Sequence, residues 1–189
     1  RCAVPWTGAA STRRNGVPSL RVSIELVWSQ SRRARAAWAG ETDTIELLLD
    51  ETADPVMGPI DREIAAWIAE RVPYTTNLEP CRCIGFRKRG GDILYGGAFN
   101  EFRGRDVQYH AACDDPAVLT KSRIRLLFRY PFEQLGVERI SCVIADSNMR
   151  SRKVVEGLGW KQEGRVRQFY AEHEDGVLYG ILKTECRWI

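Results

Sequence analysis

Residues 128–170, FRYPFEQLGVERISCVIADSNMRSRKVVEGLGWKQEGRVRQFY, hold the clearest succession of elements in this chain. Their hydrophobic periodicity predicts the end of an apolar helix at Gly136, a strand over 139–145, a helix over 147–158 and a strand over 160–170. Further on, the dipeptide Asp175–Gly176 is typical of a two-residue hairpin and predicts a last strand over 177–186. This half of the chain therefore combines helix-linked strands with an antiparallel hairpin.

The residues before this stretch predict one strand, one helix and three consecutive strands. The strand covers 44–49, and the helix over 57–73 has Pro59 in its first turn, with Asp61 and Glu63 where the helix dipole favours acids. Strand patterns then cover 82–87, 92–99 and 106–113, separated by the turn signals KRGGD and FRGRD.

A long helix is expected to connect the two halves. Asp115–Pro116 predicts its start, and Pro131 inside the pattern predicts a kink near Leu127. The full order is strand, helix, three strands, helix, strand, helix and two strands. It indicates an α/β chain with a mixed sheet, in which the meander is antiparallel and a strand–helix–strand passage gives a parallel pair.

Length and composition restrict the number of domains and the class of protein. The chain has 189 residues, 44% of them hydrophobic and 28% charged, which predicts one domain, or one domain with an appendage, and excludes a disordered chain. The longest run without a charged residue is 2–12, far short of the ~18 apolar residues of a membrane span. We therefore expect no membrane association.

Residues 1–43 differ in character from the rest. The first 44 residues hold seven Arg, no Lys and three acids, a net charge of +4, whereas the remainder has a net charge of −1. The segment has no secretory-signal pattern and little periodicity, so we interpret it as a poorly ordered extension before a domain over 44–189. Nucleic acid is expected as a partner at most weakly, through this arginine-rich arm.

The six cysteines do not form a metal-binding pattern. They contain no C-x-x-C pair, and the two histidines, His110 and His173, lie far apart in sequence, so no metal site is predicted. Cys81 and Cys83 would share one face of a strand, which suits buried side chains. We expect free, buried thiols in a reducing compartment, and hence a cytoplasmic protein.

Three ordered motifs between Phe128 and Trp188 resemble one known family: YxFxxLGxxRI, NxxSxxVxExLGWxxEGxxR and YGxLxxE. They are similar to the C-terminal half of the GNAT superfamily of N-acetyltransferases, closest to the branch of ribosomal-protein N-terminal acetyltransferases. The resemblance implies a mixed, mostly antiparallel sheet with splayed central strands and flanking helices. It also implies acetyl-CoA as cosubstrate and a primary amine as acceptor, and leaves a homodimer open. The alternative is a GNAT-fold protein that has lost catalysis and serves as a binding or assembly module.

The resemblance also assigns a place for the cofactor. Its pantetheine arm would lie between the strands 106–113 and 139–145, and its pyrophosphate at the start of the long helix. Pro116 and Val118 stand where the family has loop glycines, so side chains would have to supply phosphate contacts. The candidates are Thr120, Lys121, Ser122 and Arg123, with a merely solvated basic helix end as the alternative.

The remaining candidates concern catalysis. Asn148 matches the family residue that binds the cofactor arm or braces the strands, and a helix cap is its alternative role. Ser151 matches a residue that contacts the thioester or relays a proton, with simple helix packing as the alternative. Val155 occupies the position of the general-acid tyrosine that many members have. His110 and Glu101 are the two candidate general bases, and for His110 a purely structural role is the alternative.

Overall fold

The computed structural model describes residues 44–50, 57–72 and 78–189. The expectations for the extension over 1–43, for Cys2 and for Pro73 lie outside the described residues, so they stay predictions.

Within the described residues, seven strands form one mixed sheet, and three helices pack against it. The strands are β1 (Ile45–Leu48), β2 (Arg82–Lys88), β3 (Ile93–Asn100), β4 (Asp106–Cys113), β5 (Arg139–Ala145), β6 (Lys161–Ala171) and β7 (Glu174–Leu182). The helices are α1 (Pro59–Ala69), α2 (Lys121–Arg129) and α3 (Met149–Leu158). The spatial order is β1-β2-β3-β4-β5-β7-β6, and the pairs are antiparallel except β4 with β5. The predicted element order and the mixed, mostly antiparallel sheet are confirmed.

Helix α1 covers one face of the sheet over β2 and β3. Ile64 and Ile68 lie on the apolar face of this helix and are fully buried against the sheet. The helix approaches β3 so closely that a Cβ on Gly96 would come within 2.8 Å of Ile64 Cγ2. A side chain at that position would therefore push the helix off the sheet.

A buried carboxylate ties the start of α1 to β2. Asp61 accepts hydrogen bonds from the backbone N–H of Cys83 at 2.7 Å and of Gly58 at 3.3 Å, and its oxygen lies 3.3 Å from the Arg82 guanidinium. Burial raises the pKa of Asp61, although these bonds and the Arg82 charge act in the opposite direction. The acid predicted to favour the helix dipole is thus also a link between helix and sheet.

Helices α2 and α3 cover the opposite face. Phe128 of α2 packs in the larger core cluster with Trp160 and Tyr179, and Val155 and Leu158 of α3 lie against the same cluster. The two faces of the sheet therefore carry different cores, one under α1 and one under α2 and α3.

The predicted start of the long helix is wrong. Pro116–Val118 forms a separate 3₁₀ turn, and α2 begins after Thr120, whose hydroxyl accepts a hydrogen bond from the Arg123 N–H at 3.4 Å. The Val118 carbonyl, which a continuous helix would use in its own ladder, accepts from the Arg123 guanidinium at 2.9 Å. The loop before α2 is thereby separated from the helix.

The helix also ends differently from the prediction. Helix α2 is regular up to Arg129, beyond the kink expected near Leu127, and Tyr130–Gln134 then forms a π-helical turn. The Leu135 N–H donates to the Tyr130 carbonyl at 3.1 Å, a five-residue spacing. Pro131 lies in this turn, where its missing N–H removes a bond of the regular ladder.

The predicted position of the last hairpin is also wrong. The turn lies at residues 172–173, and Asp175–Gly176 is part of β7. The Asp175 carboxylate accepts from the backbone N–H of Gln168 at 2.8 Å and from the Arg165 guanidinium at 2.9 Å, so it joins β7 to β6 instead of forming the turn.

Four of the described cysteines are buried free thiols, as predicted: Cys81, Cys83, Cys142 and Cys186. Cys113 differs, because it is exposed at the end of β4. Among the described helices, none combines the length and apolarity needed to cross a membrane. The described residues also contain no group of three or more His, Cys, Asp or Glu side chains that could hold a metal ion.

Candidate active site

The central strands β4 and β5 separate along their length. They pair only at Asp106↔Arg139, Val107↔Ile140 and Gln108↔Ser141. Beyond these pairs β4 stays on β3 as far as Cys113, and β5 stays on β7 as far as Ala145. The strands therefore open a V-shaped gap, which we call the V, and the backbone edges that face it have no strand partner. The predicted splay is confirmed.

Ionic and polar bonds hold the closed end of the V together. Asp106 accepts from the Arg139 guanidinium at 2.7 Å and from the Ser141 hydroxyl at 3.1 Å. These bonds join the first residues of β4 to the first residues of β5. They set the point from which the strands diverge.

Successive residues of β4 at the start of the gap face opposite sides of the sheet. His110 lies opposite Ala98, which belongs to the core under α1. Tyr109 lies opposite Phe99, in the core under α2 and α3. The V therefore has an imidazole on one face and a phenol on the other.

His110 is half-buried and held by Asn100. The His110 Nε2 atom lies 3.1 Å from Asn100 Oδ1, and the Asn100 amide donates to the Leu78 carbonyl at 3.5 Å. Burial lowers the pKa of His110, and the negative charge of Glu101 opposes part of that effect. The imidazole is therefore neutral at neutral pH.

The same bonds select one tautomer of the neutral ring. Because the Asn100 nitrogen faces a carbonyl, its oxygen faces His110, and Nε2 must carry the proton in order to donate to it. This leaves Nδ1 with the free lone pair. His110 can thus accept a proton at Nδ1, as a general base requires.

Glu101, the other candidate base, is 51% exposed and forms an ion pair with Arg103. The structure brings it into the same region as His110 and Asn100. Its charge acts on the imidazole, while its own carboxylate is engaged at the surface.

On the opposite face, the Tyr109 hydroxyl bonds to the Tyr95 hydroxyl. The Tyr109 ring lies over Gly97, where an added Cβ would come within 2.6 Å of the phenol oxygen, so only glycine leaves room for it. Burial raises the pKa of both phenols, which keeps them protonated.

The residues predicted to contact phosphate at the start of α2 differ in their exposure to solvent. Lys121 and Ser122 are exposed, and Thr120 caps the helix. Arg123 is only 5% exposed, and its guanidinium bonds to Val118 beneath the loop. The structure thus places Arg123 as a support of the loop and leaves Lys121 as the exposed cation of the set.

The start of α3 lies at the open end of β5. Asn148 caps this helix, since its Oδ1 accepts from the Ser151 N–H at 3.1 Å, which is the alternative role expected from the sequence. Ser151 is half-buried one turn into the helix. Arg150 lies close enough for its charge to lower the pKa of Cys113, at the end of β4, although burial raises that pKa overall.

An open depression of roughly 1160 Å³ lies beside the V, between the end of β5 and the β6–β7 hairpin. Its lining includes both acidic and basic side chains, among them Asp146, Arg165, Glu172 and His173. None of its lining residues belongs to β4, so it flanks the V and does not fill it.

Comparison with known proteins supports one fold. No protein-family model matches the sequence. A Bacillus subtilis protein named as a ribosomal N-acetyltransferase is 35% identical over 88 residues, a match that covers 45% of this chain and 42% of that protein. A spermidine N-acetyltransferase from Vibrio cholerae matches in structure with a TM-score of 0.58 at 12% identity, covering 76% of this chain and 96% of the other. A ribosomal-protein alanine acetyltransferase from Vibrio fischeri gives a TM-score of 0.53 at 13% identity, covering 79% and 97%.

The fold is that of the GNAT acetyltransferases. The sequence match spans less than half of the curated relative it aligns with. The resemblance read from the sequence is confirmed at the level of the fold.

Within this fold, the predicted site residues fall into three groups, and their roles stay predictions. His110 lies on β4 and is affected by the charge of Glu101, which follows β3. Thr120, Lys121 and Ser122 lie at the start of α2, and Asn148 and Ser151 lie at the start of α3.

Sequence reasoning missed Asn100, Tyr95, Tyr109 and Gly97. Each acts through a neighbour on the adjacent strand, so the β3–β4 register was needed to find them. The short turn FRGRD between the strands was the available signal, because it makes β3 and β4 a hairpin.

Proposed function

We propose that this protein is an acetyl-CoA-dependent N-acetyltransferase that acetylates a primary amine, whether a protein N-terminus, a lysine or a small-molecule amine. The observation that carries the proposal is the V itself, open between β4 and β5, with a neutral imidazole on one face. The relatives named above are acetyltransferases, which supports the same reaction. The free thiols support a cytoplasmic setting. Nothing in the geometry favours the non-catalytic alternative.

The backbone edges of the V suit an extended, amide-containing chain. Beyond Gln108↔Ser141, inward-facing N–H and C=O groups lack strand partners, so they can pair with the two amides of pantetheine. Acetyl-CoA supplies the activated thioester, and a backbone N–H of the gap can stabilise the oxyanion that develops at its carbonyl. The residues present therefore fit this cosubstrate.

The pyrophosphate is proposed to lie at the start of α2. Exposed Lys121 and Ser122 offer side-chain donors there, and the helix dipole adds attraction for anions. Because Arg123 is occupied with Val118, we assign it to loop support and the charge contact to Lys121. Thr120 contributes by holding the helix start in place.

The acceptor amine must be neutral to attack. His110, with Nδ1 free, is proposed to take the amine proton as the C–N bond forms, and Glu101 to favour the imidazolium that results. Because His110 lies on the α1 face, this assigns the amine to that face of the V. Asn148 and Ser151 are proposed to bind the cofactor arm at the open end of the V. For Asn148 this role would be additional to its capping of α3.

The test has two stages. Calorimetry with acetyl-CoA measures binding, and a thiol-release screen over peptides with free N-termini, lysine peptides and polyamines measures turnover. His110→Ala should bind acetyl-CoA like the wild type but release thiol about 10²–10⁴ times more slowly. Binding without turnover on any amine would support the binding-module alternative, and an absence of acetyl-CoA binding would refute the proposal.

Asn148→Ala and Ser151→Ala form a second comparison. Asn148→Ala should weaken acetyl-CoA binding or turnover more than Ser151→Ala, because water can replace a serine hydroxyl more readily than an amide with both a donor and an acceptor. Negligible effects of both changes would return the two residues to capping and packing roles.

A further inference from the structure

Tyr170, near the end of β6, is bonded to a strand that is not its neighbour. Its hydroxyl donates a hydrogen bond to the Val143 carbonyl of β5 at 2.6 Å, although β7 lies between β6 and β5 in the sheet. Burial raises the pKa of Tyr170 to about 12, so the phenol keeps its proton and stays a donor. The bond therefore reaches past β7 to the strand that borders the V.

The Val143 carbonyl points into the V. In an antiparallel pair, the backbone groups of alternate residues point toward the partner strand. The Glu138 carbonyl accepts from the N–H of Lys183, just after β7, at 2.9 Å. The Asp146 N–H donates to the Asp175 carbonyl of β7, also at 2.9 Å. The even-numbered residues of β5 thus bond to β7, and because the register between these strands has no shift, Val143 directs its C=O to the V.

Val143 also lies level with His110. The last β4–β5 pair is Gln108↔Ser141, and two residues further along each strand are His110 and Val143. Side chains of β5 alternate between the faces of the sheet, and Cys142 belongs to the core under α2 and α3, so Val143 is on the α1 face, as is His110. The phenol is therefore bonded at the depth where His110 is proposed to accept a proton.

An irregular stretch of β6 brings Tyr170 to this place. The register of β6 on β7 shifts over residues 166–171. A Cβ added to Gly176 would touch both the Val143 and the Phe169 side chains, so Phe169 lies over β7 on the α1 face. The Tyr170 ring meets the Phe169 ring edge-on, with centroids 4.9 Å apart, and hence lies on the same face.

We infer that the Tyr170 phenol keeps water from the Val143 carbonyl and so protects acetyl-CoA in the V from hydrolysis until an acceptor amine replaces the phenol there. The inference rests on the proposed function and adds to it a residue that distinguishes the amine from water. An acceptor gains binding energy from the rest of its structure, which can offset the loss of the phenol bond, whereas a single water molecule cannot.

Hydrolysis is the reaction that the phenol would prevent, because water at this place would lie beside a general base. The water oxygen would bond to the thioester carbonyl carbon while His110 takes a proton from it. The C–S bond would break with its electron pair going to sulfur, and solvent would protonate the thiolate. His110 would return its proton to solvent, so acetyl-CoA and water would give acetate, CoA and one proton.

Thiol release from acetyl-CoA without any amine is the assay, so the acceptor need not be known. Tyr170→Phe removes only the hydroxyl, and the net contribution of one hydrogen bond corresponds to about a 2- to 10-fold change in how often water can enter. We therefore expect hydrolysis about 2–10 times faster than in the wild type, with an unchanged acetyl-CoA affinity in calorimetry. Tyr170→Leu, which also removes the ring, should give a larger increase.

Two further variants locate the water. Tyr130→Phe is the matched control, because Tyr130 is also buried and its hydroxyl bonds to Arg82 of β2, so hydrolysis should stay at the wild-type rate. In His110→Ala/Tyr170→Phe the water would lack its base, so hydrolysis should be at least about 10² times slower than in Tyr170→Phe.

The outcomes separate the two proposals. Faster hydrolysis in Tyr170→Phe at unchanged acetyl-CoA affinity, with Tyr130→Phe like the wild type, supports the inference. Equal hydrolysis in the wild type and Tyr170→Phe, a loss of acetyl-CoA binding in Tyr170→Phe, an equal increase in Tyr130→Phe, or an increase that persists without His110 would overturn it and leave the proposed function standing. Failure of the wild type to bind acetyl-CoA would refute the proposed function and the inference with it.

Discussion

Gly97→Ala tests whether the Tyr109 phenol is packed where the structure places it. The added Cβ would lie 2.6 Å from the phenol oxygen and 2.8 Å from Cε2, against a heavy-atom contact optimum of about 3.5 Å, so one group must move by roughly 1 Å. The ring has little room, because Phe99 lies 4.8 Å away between centroids and Tyr95 holds the hydroxyl.

Overpacking of this kind typically costs about 1–3 kcal/mol. We expect the free energy of unfolding, measured by urea denaturation, to fall by that amount. The thermal midpoint should fall by about 2–4 °C for each kcal/mol in a domain of this size. Gly157→Ala is the matched control, since an added Cβ there meets nothing within 4 Å. Because Gly157 is inside α3, that change should stabilise by about 0.5–1 kcal/mol.

A double-mutant cycle tests whether the loss of stability in Gly97→Ala comes from its contact with Tyr109. Tyr109→Phe removes the closest atom and frees the ring from Tyr95, so Gly97→Ala/Tyr109→Phe should cost less than the sum of the single changes. A Gly97→Ala variant as stable as the wild type, or strictly additive costs, would refute the packing argument.

The remaining predictions concern the base, the α1 link and the loop before α2. The thiol-release rate should rise with pH as His110 loses its proton, and burial places the pKa of His110 below its ordinary value. In Asn100→Asp the added negative charge should raise that pKa, so the rise in rate should move to higher pH. An unchanged pH profile would contradict the contact between Asn100 and His110. Asp61→Ala should lower the free energy of unfolding by about 3–5 kcal/mol, because it removes the carboxylate that binds Arg82 and two backbone N–H groups. Asp61→Asn should lower it by less. Equal losses for the two variants in urea denaturation would contradict the proposed link between helix and sheet. Lys121→Ala should weaken acetyl-CoA binding in calorimetry, with a reduced dependence on salt. Arg123→Ala should chiefly lower thermal stability, and the reverse pattern would return the phosphate contact to Arg123.

Much of the fold was predictable from local patterns. The element order, the apolar face of α1 and the strand over 139–145 follow from periodicity, because a half-buried helix or strand must repeat its apolar residues with its own geometry. The errors fall where side chains compete with local rules. Arg123 donates a hydrogen bond to the Val118 carbonyl, which separates the 3₁₀ turn from α2. Asp175 accepts a hydrogen bond from Gln168 of β6, although the Asp-Gly dipeptide predicts a turn there.

The candidate site divides in a similar way. His110 and Lys121 could be identified as candidates from residue type and position in the chain. A histidine on a strand that borders the gap can act as a base, and a lysine at the start of a helix can bind phosphate. By itself the sequence determined the order of elements, the family resemblance and these candidates. Only the tertiary structure decided which tautomer Asn100 imposes on His110, which cation remains exposed, and that Tyr95 and Tyr109 meet over Gly97. Those facts depend on strand register and burial, which join residues distant along the chain and leave no local pattern to find.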